Sequence, residues 1–370
     1  MCGIIGIISE EDVSSSIYES LTVIQHRGQD AAGMATLEDG KLHVRKQIGL
    51  VREVFRAQHI KNLKGKMGIG HVRYPTAGGV TREFSQPLYV NSPYGISICH
   101  NGNLVNSKEL TQELYENDLR HLNTDSDSEV ILNIFANEMQ KINSQSPSPE
   151  EIFSAVEKMH LRLKGAYSVV LMISGVGLLA IRDPNGIRPL MMGKKENDLL
   201  GKTDYMFASE SPALDALDFE ILGDLKPAEA VFVSLEGKMS RKICHNSPQH
   251  SPCIFEYVYL ARPDAVIEEI SVLKSRLRMG QKLGKKINSI YPNSKIDAVI
   301  PIPESSTSSA IEVAKYLGVN YREGFVKNRY IGRTFIMPKQ DMRRKSVRRK
   351  LNPIPSVSYT HLTLPTNREV

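Results

Sequence analysis

Cys2 is the residue of this chain best suited to chemistry, because it directly follows the initiator Met1. Once Met1 is removed, the thiol and a free α-amino group lie on the same carbon. The thiolate is the nucleophilic form of cysteine. An α-amino group has a typical pKa of about 7.7–8.0, so it can accept the thiol proton near neutral pH. Amine-activated N-terminal nucleophiles are a recognised catalytic arrangement, although a cysteine at position 2 can equally be inert.

A cysteine that attacks an amide needs donors for the developing oxyanion and anchors for the substrate. Asn101 and Gly102 offer a side-chain amide and a backbone N–H side by side, unless they form an ordinary Asn-Gly hairpin turn. Arg73 follows an apolar strand and could hold a carboxylate through two parallel bonds, or form a surface salt bridge. Asp127 lies in an acidic run before a helix, where its carboxylate could cap the helix or bind an α-ammonium group.

The elements that position these residues have clear sequence signals. The apolar run at residues 2–8 predicts a strand, and a capping box of Ser16 and Glu19 predicts a helix that Gly28 can end. Apolar periodicity predicts two further helices, and β-rich runs predict three more strands. This mixture indicates an α+β domain over residues 1–235. The predicted elements are helices at about Ser128–Lys141 and Glu150–Lys164, and strands at Ala166–Ile173, Gly177–Ile181 and Ala230–Leu235.

The pattern changes in the second half. Helix, strand and helix are predicted at Val272–Ile290, Ile296–Ile302 and Ser309–Leu317. This order is typical of an α/β unit with a parallel sheet, which binds ligands at the carboxyl ends of its strands. One such unit is too short for a complete sheet, so we expect a partial domain over residues 236–355. Residues 356–370 resemble a translated vector remnant and are not expected to belong to the fold.

Composition limits the class of protein. The 370 residues are 41% hydrophobic, enough for two domains, and no run is long and apolar enough to cross a membrane. The four cysteines are scattered without a CxxC pair, which argues against a zinc site and favours a reducing cytoplasm. The net charge of +6 is uneven, because basic residues cluster near the C-terminus, where they are either solvated or meet an anionic partner. The clustered residues are Arg343, Arg344, Lys345, Arg348, Arg349 and Lys350.

Five runs of the first half together resemble the class II glutamine amidotransferase domain. They are MCGI at the start, QHRGQDAAG at 25–33, GHVRYPTAG at 70–78, HNGNL at 100–104 and SDSE at 126–129. The resemblance implies an N-terminal nucleophile hydrolase fold, a four-layer αββα sandwich. It further implies the following roles: Cys2 attacks the glutamine amide, Asn101 and Gly102 form the oxyanion hole, Arg73 binds the α-carboxylate, Asp127 binds the α-amino group, and Arg27 and Thr76 shape the pocket.

Longer runs resemble one family within this class, the amidophosphoribosyltransferases. They are PCIFEYVYLARPD at 252–264, IPIPESS at 300–306, GFVKNRYIGRTFIMP at 324–338 and RRKSVRRKL at 343–351, whereas RDPNGIRPL at 182–190 and ASES at 208–211 recur in several amidotransferases. The resemblance implies transfer of ammonia from glutamine to phosphoribosyl pyrophosphate, giving phosphoribosylamine in the first committed step of purine synthesis. It also implies the following roles: a phosphate-covering flap with Lys327, Arg329 and Arg333, an ammonia channel lined by Tyr74 and Tyr259, and Mg²⁺ beside Ser305.

The chain also departs from that family. The adjacent acidic pair of its phosphoribosyl pyrophosphate site does not occur in this sequence, and the family pattern is lost near Pro353. We therefore expect a fragment that hydrolyses glutamine but does not complete the transfer. No leader peptide is expected ahead of Cys2. We expect Cys253 to be a buried structural thiol and expect no iron–sulfur cluster. The family further suggests purine nucleotides as feedback inhibitors and a homo-oligomer, with no nucleic-acid partner.

Two alternatives remain. The first is another class II amidotransferase, but its synthase half would require isomerase, ATP-pyrophosphatase or flavin-type motifs, which residues 236–353 lack. The second is a non-catalytic protein whose basic segment binds an anion such as nucleic acid. That alternative requires Cys2 to be inert, so blocking the thiol would change nothing.

Overall fold

The computed structural model describes residues 2–74, 82–197, 201–292, 295–331 and 340–358. It divides into two compact units. The first comprises Met1–Cys253 with Val266–Glu269, and the second Ile254–Ala265 with Ile270–Val370. The predicted end of the first domain was residue 235. The first unit extends beyond it because the strand at Met239–Ile243 pairs with the strand at Glu229–Ser234.

The first unit consists mainly of strands, and both units contain α-helices. The strands are β1 (Gly3–Ile8), β2 (Ala31–Glu38), β3 (Lys41–Ile48), β4 (Met67–Arg73), β5 (Leu88–Val90), β6 (Ile96–Leu104), β7 (Gly165–Ile173), β8 (Gly177–Arg182), β9 (Met191–Asn197), β10 (Lys202–Ala208), β11 (Glu220–Asp224), β12 (Glu229–Ser234), β13 (Met239–Ile243), β14 (Val266–Ile267), β15 (Ile270–Ser271), β16 (Ala298–Val299), β17 (Asn320–Tyr321), β18 (Phe325–Lys327) and β19 (Leu351–Pro353). The α-helices are α1 (Ser14–Val23), α2 (Val51–Val54), α3 (Ala57–Asn62), α4 (Ser107–Glu116), α5 (Asp127–Ile142), α6 (Pro149–Arg162), α7 (Ser211–Asp215), α8 (Val272–Ile290), α9 (Thr307–Leu317), α10 (Gln340–Lys350) and α11 (Pro355–Ser358).

Two antiparallel sheets form the middle of the first unit. One has seven strands in the order β11-β9-β10-β1-β4-β2-β3, and the other has six in the order β13-β12-β8-β7-β6-β5. β1 shows why both faces of the seven-stranded sheet are covered. Its Ile4 and Ile8 belong to the core between the sheets, whereas Ile5 and Ile7 belong to the core under α1, α2 and α7.

A third core lies between the six-stranded sheet and helices α4, α5 and α6, with Phe135, Met159 and Leu171 among its members. Helix, sheet, sheet and helix therefore stack as four layers, which confirms the predicted αββα sandwich. Burial of apolar surface in three stacked cores is the main force that holds these layers together. The layers also explain why β1 contains only apolar residues and glycine, since both of its faces are buried.

The second unit contains the predicted α/β element. β16 pairs with β17 in parallel, and α9 crosses between them. Helix α8 packs closely on α9 because Gly280 and Gly284 have no side chain: a Cβ at Gly280 would lie 2.4 Å from the Ser309 carbonyl oxygen. Arg276 of α8 is buried and donates to the carbonyls of Tyr257, at 2.9 Å, and Ala261, at 2.7 Å.

Several details differ from the sequence predictions. The Ser16–Glu19 capping box is wrong, because α1 already begins at Ser14 with Val13 at its N-cap. The apolar run at 296–302 forms a strand only at Ala298–Val299, where its parallel partner β17 also has two residues. Most of the suspected foreign tail, residues 359–370, lies outside the described residues.

Candidate functional site

The candidate site of the first unit lies at the start of β1. Cys2 precedes this strand and is almost completely buried, with 9% of its surface exposed. Its main-chain nitrogen, the α-amino nitrogen once Met1 is removed, donates to Asn101 Oδ1 at 2.9 Å. Its Sγ lies 3.7 Å from the Tyr74 carbonyl oxygen. The nucleophile candidate and the oxyanion candidate, 99 positions apart in the chain, are therefore direct neighbours.

Asn101 contributes a second feature to the site. The N–H of Cys2 requires an oxygen acceptor, so the Asn101 amide must turn its Oδ1 toward Cys2 and its Nδ2 away. Asn101 is fully buried, and among the described residues its Nδ2 has no hydrogen-bond partner. A buried donor without an acceptor is costly, which makes it a candidate for binding a ligand oxygen. Gly102 follows on β6, and a Cβ there would lie 2.0 Å from the Ala166 carbonyl oxygen, so only glycine fits.

Arg73 and Asp127 are the two charged candidates for binding the substrate. Arg73 ends β4, and its guanidinium lies 5.5 Å from the centre of the Phe84 ring. Burial lowers the pKa of Arg73, while the negative charges of Cys2, Asp30 and Asp127 act in the opposite direction. Asp127 starts α5, where its Oδ2 accepts from the N–H of Leu104 at 3.1 Å. These charges place a cation and a carboxylate near the thiol.

The acidic run before α5 is organised differently from the simple capping alternative. Ser126 is the N-cap, and its side chain accepts from the N–H of Ser128 at 3.3 Å. Glu129 turns back and accepts from the N–H groups of Asn123 and Thr124, both at 2.8 Å. Asp127 is therefore not needed as the cap, and its side chain retains 17% exposure.

Arg27 holds the main chain of Cys2 rather than facing solvent. It is fully buried, its Nε donates to the Cys2 carbonyl oxygen at 3.0 Å, and its Nη1 forms an ion pair with Glu210. His26 Nε2 reaches the same Glu210 oxygen at 2.8 Å. No role was predicted for Glu210 from the sequence, although it lies in the short polar run at 209–211 that directly follows β10.

Two buried histidines lie beside the oxyanion candidate. His71 Nε2 lies 3.2 Å from the carbonyl oxygen of His100, and burial lowers the pKa of His71 to about 3. The His100 ring contacts Ser128 Oγ at 2.9 Å, and burial lowers its pKa to about 4, against the opposing effect of Asp127. Both rings are therefore neutral at neutral pH and serve as hydrogen-bonding groups.

Two of the flap candidates in the second unit lie close to the magnesium candidate Ser305. Lys327 Nζ and Arg329 Nη2 both lie 3.3 Å from oxygens of Glu304, the neighbour of Ser305. Tyr259 is half exposed, and its ring centre lies 5.2 Å from that of Phe255. Thr76 and Arg333 lie outside the described residues. The C-terminal basic cluster falls in α10, where Arg344, Lys345, Arg348 and Arg349 are exposed.

Two expectations concern metals and membranes. Cys253 is half-buried rather than buried as expected, so the interpretation as a core thiol is wrong in this respect. Within the described ranges, histidine, cysteine and acidic side chains form no group of three that could hold a metal ion. Among the helices of those ranges, none combines the length and the apolar character that a membrane span requires.

Comparison with known proteins defines the class first. The profile of the glutamine amidotransferase domain matches residues 80–216. The amidophosphoribosyltransferase of Pseudomonas aeruginosa is 55% identical over 354 residues, which cover 96% of this chain and 70% of that protein. The amidophosphoribosyltransferase of Escherichia coli is 54% identical over 353 residues, which cover 95% of this chain and 70% of that protein. The crystal structure of glutamine phosphoribosylpyrophosphate amidotransferase from Bacillus subtilis, complexed with ADP and GMP, superposes with a TM-score of 0.79 at 35% identity, covering 96% of this chain and 73% of that chain.

These similarities extend over nearly the whole chain and both of its units. The chain belongs to the amidophosphoribosyltransferase family, whose members are pentosyltransferases with glutamine amidotransferase activity. The predicted family, the N-terminal nucleophile hydrolase fold and the enzyme class are thereby confirmed.

Proposed function

We propose that the first unit hydrolyses the side-chain amide of glutamine with Cys2 as the nucleophile. The observation that carries this proposal is the contact of the Cys2 nitrogen with Asn101, which leaves a buried amide donor without a partner next to the thiol. A negatively charged tetrahedral oxygen is the partner that such a donor suits best. Asn101 Nδ2 and the Gly102 N–H are the two donors that we assign to it.

The reaction then follows from the groups around Cys2. The α-amine takes the thiol proton, the thiolate attacks the amide carbon, and the oxygen takes up charge at Asn101 and Gly102. As the C–N bond breaks, the proton passes to the departing nitrogen, which leaves as ammonia. Water hydrolyses the resulting thioester, which releases glutamate and restores the thiol. Arg73 would bind the α-carboxylate, Asp127 the α-ammonium group, and Arg27 and Thr76 would shape the pocket.

We assign the phosphoribosyl pyrophosphate site to the second unit. Lys327 and Arg329 converge on Glu304, beside Ser305, so cations and oxygen ligands occur together there. Oxygen donors of this kind fit Mg²⁺, which binds through few protein ligands and retains waters and substrate phosphates. When bound, Mg²⁺ would neutralise phosphate charge. Arg333 would complete the cationic flap, and Tyr74 and Tyr259 would line the route of ammonia.

Transfer requires that ammonia, rather than water, attacks the sugar carbon as pyrophosphate leaves. A flap that excludes water would protect this step. We further propose a cytoplasmic enzyme that forms homo-oligomers and responds to purine nucleotides. The Bacillus subtilis relative, described as a complex with ADP and GMP, supports nucleotide binding.

Glutamate release from glutamine tests the glutaminase assignment. The purified chain, with Met1 removal verified by mass spectrometry, should release glutamate, and Cys2→Ala should abolish the release. Cys253→Ala is the matched control, since this half-buried thiol lies at the end of the first unit and should leave the rate unchanged. Equal activity of wild type and Cys2→Ala would contradict the proposal. It would instead favour the non-catalytic alternative.

A further inference from the structure

Strand β6, which carries Asn101, loses its neighbouring strand shortly before the site. β5 pairs with β6 only at Val90–Ile96, Tyr89–Ser97 and Leu88–Ile98. His100 is the next residue whose N–H and C=O would point to that edge, because these groups alternate along a strand. In continued register it would face Gln86, but there the main chain forms no ladder bond with β6. The edge of β6 is thus open at the residue before Asn101.

Two side chains take the place of the missing strand. Gln86 Oε1 accepts from the His100 N–H at 2.6 Å, and His71 Nε2 lies 3.2 Å from the His100 carbonyl oxygen. Burial keeps His71 neutral by lowering its pKa to about 3, so its Nε2–H can donate to that carbonyl. The peptide groups on both sides of the His100 Cα are therefore fixed by side chains.

Gln86 also reaches a second element. Its Nε2 donates to Ser128 Oγ at 2.9 Å, and Ser128 Oγ lies 2.9 Å from His100 Nδ1. All three side chains are at most 5% exposed. Gln86 therefore closes a ring of hydrogen bonds through the backbone of His100, its imidazole and the first turn of α5. We call Gln86, His100 and Ser128 the amide clamp.

The segment that carries Gln86 is itself rigidly held. Lys46 Nζ donates to the carbonyls of Ser85, at 2.7 Å, and Pro87, at 3.0 Å, on either side of Gln86. The Gln86 carbonyl oxygen lies so close to β2 that a Cβ on Gly33 would be 1.9 Å away. Both features limit movement of Gln86, so a displacement of β6 would break the clamp rather than drag Gln86 with it.

His100 of the clamp and Asn101 lie on opposite faces of β6. His100 lies on the face of Ile98 and Leu104, which pack in the core under the helices, whereas Asn101 follows Cys99 toward the space between the sheets. We propose that Gln86 is a positioning residue for glutamine hydrolysis, which holds Asn101 in place through His100 and ties it to Asp127 through Ser128. This inference rests on the proposed role of Asn101 in the oxyanion hole.

Gln86→Met tests the inference, because it keeps the length of the side chain and removes both hydrogen bonds. We expect kcat for glutamate release to fall about 10- to 100-fold, since a misplacement of catalytic groups of about 1 Å can cost 10²-fold. KM for glutamine should change less than about threefold, because Arg73 keeps its place. Gln86→Glu retains an acceptor for the His100 N–H and should lose less. Tyr94→Phe, which removes a partly buried hydrogen bond to the Ser144 carbonyl, is the control and should keep kcat.

A double-mutant cycle separates positioning from a general structural role. If Gln86 acts through Asn101, the Gln86→Met penalty should nearly vanish in an Asn101→Ala background. Alkylation of Cys2 by iodoacetamide, which needs no oxyanion hole, should proceed at the wild-type rate in Gln86→Met. If the wild-type chain releases glutamate, the glutaminase proposal stands. An unchanged kcat in Gln86→Met, or a full Gln86→Met penalty in the Asn101→Ala background, would then overturn the positioning role alone. A wild-type chain that released no glutamate would instead refute the glutaminase proposal, and the positioning role with it.

Discussion

The ion pair of Arg27 and Glu210 allows a stringent test of how the nucleophile is held. Both side chains are 0% exposed, so solvent does not screen the pair. Arg27 Nε holds the Cys2 carbonyl oxygen at 3.0 Å, and His26 shares the Glu210 oxygen at 2.8 Å. Glu210→Gln keeps the shape and an acceptor oxygen but removes the negative charge. The guanidinium beside Cys2 then remains buried without a compensating carboxylate in this pair.

Removing one partner of a buried ion pair costs about 3–5 kcal/mol, because the other charge is left buried. With both side chains fully enclosed, we expect Glu210→Gln to fall within that range. A loss of this size is a large part of a typical stability of about 5–15 kcal/mol. Arg27→Met combined with Glu210→Gln removes both charges. The double variant should therefore be more stable than Glu210→Gln alone.

Denaturant unfolding, followed by a probe in the first unit, measures these differences. Glutamate release should fall in both variants, because either change disturbs the support of the Cys2 carbonyl. Recovery of stability without recovery of activity is thus the expected result for the double variant. A loss of stability below about 1 kcal/mol in Glu210→Gln would refute the reasoning from a buried charge. So would a double variant whose loss equals the sum of the losses in Glu210→Gln and in Arg27→Met alone.

Two other predictions follow from the buried groups. Burial lowers the pKa of His71 and His160 to about 3 and of His100 to about 4. As the pH falls, these histidines are therefore protonated in the unfolded chain before they are protonated in the folded chain. These three histidines should not lower the free energy of unfolding above about pH 6.5. Below that pH each of them should lower it by up to ~1.4 kcal/mol per pH unit. A denaturation midpoint that stays constant from pH 7 to 5 would contradict this prediction. Gly102→Ala should destabilise the first unit and abolish glutamate release, because its Cβ would lie 2.0 Å from the Ala166 carbonyl oxygen and 2.6 Å from His100 Nε2. Normal activity of a folded Gly102→Ala variant would show that β6 can shift without cost.

Apolar runs and helical periodicity predicted an α+β first domain, because these patterns report burial directly, whereas the four-layer order was implied by the resemblance to class II glutamine amidotransferases. Helices α5 and α6 were predicted to within two residues at each end, and β1 was recognised from its uninterrupted apolar run. Short elements were harder to predict from the sequence. The strand predicted at 296–302 shrinks to Ala298–Val299, since its length depends on a parallel partner that hydrophobicity does not reveal.

The candidate site was predictable where a residue type suits one task at a defined position. Cys2 and Asn101 were singled out for chemistry that each side chain performs by itself, and the structure makes them neighbours. Glu210 and Gln86 were missed for a physical reason. Glu210 meets Arg27 across 183 positions, and Gln86 meets a main-chain N–H, so neither contact follows from a local pattern. Only the register of the strands brings such groups together.

The open edge of β6 explains why Gln86, which no local pattern reveals, lies beside the candidate site. In the proposed mechanism glutamine must reach Asn101 and Gly102, and an uninterrupted sheet would bury the Gly102 N–H in a ladder bond. An open edge, however, leaves peptide groups unsatisfied and the strand free to move. Gln86 and His71 form hydrogen bonds with the N–H and the carbonyl oxygen of His100 and leave the edge of β6 beyond it open. Access and rigidity are thereby combined, because side chains can end a hydrogen-bond ladder at one residue where another strand would continue it.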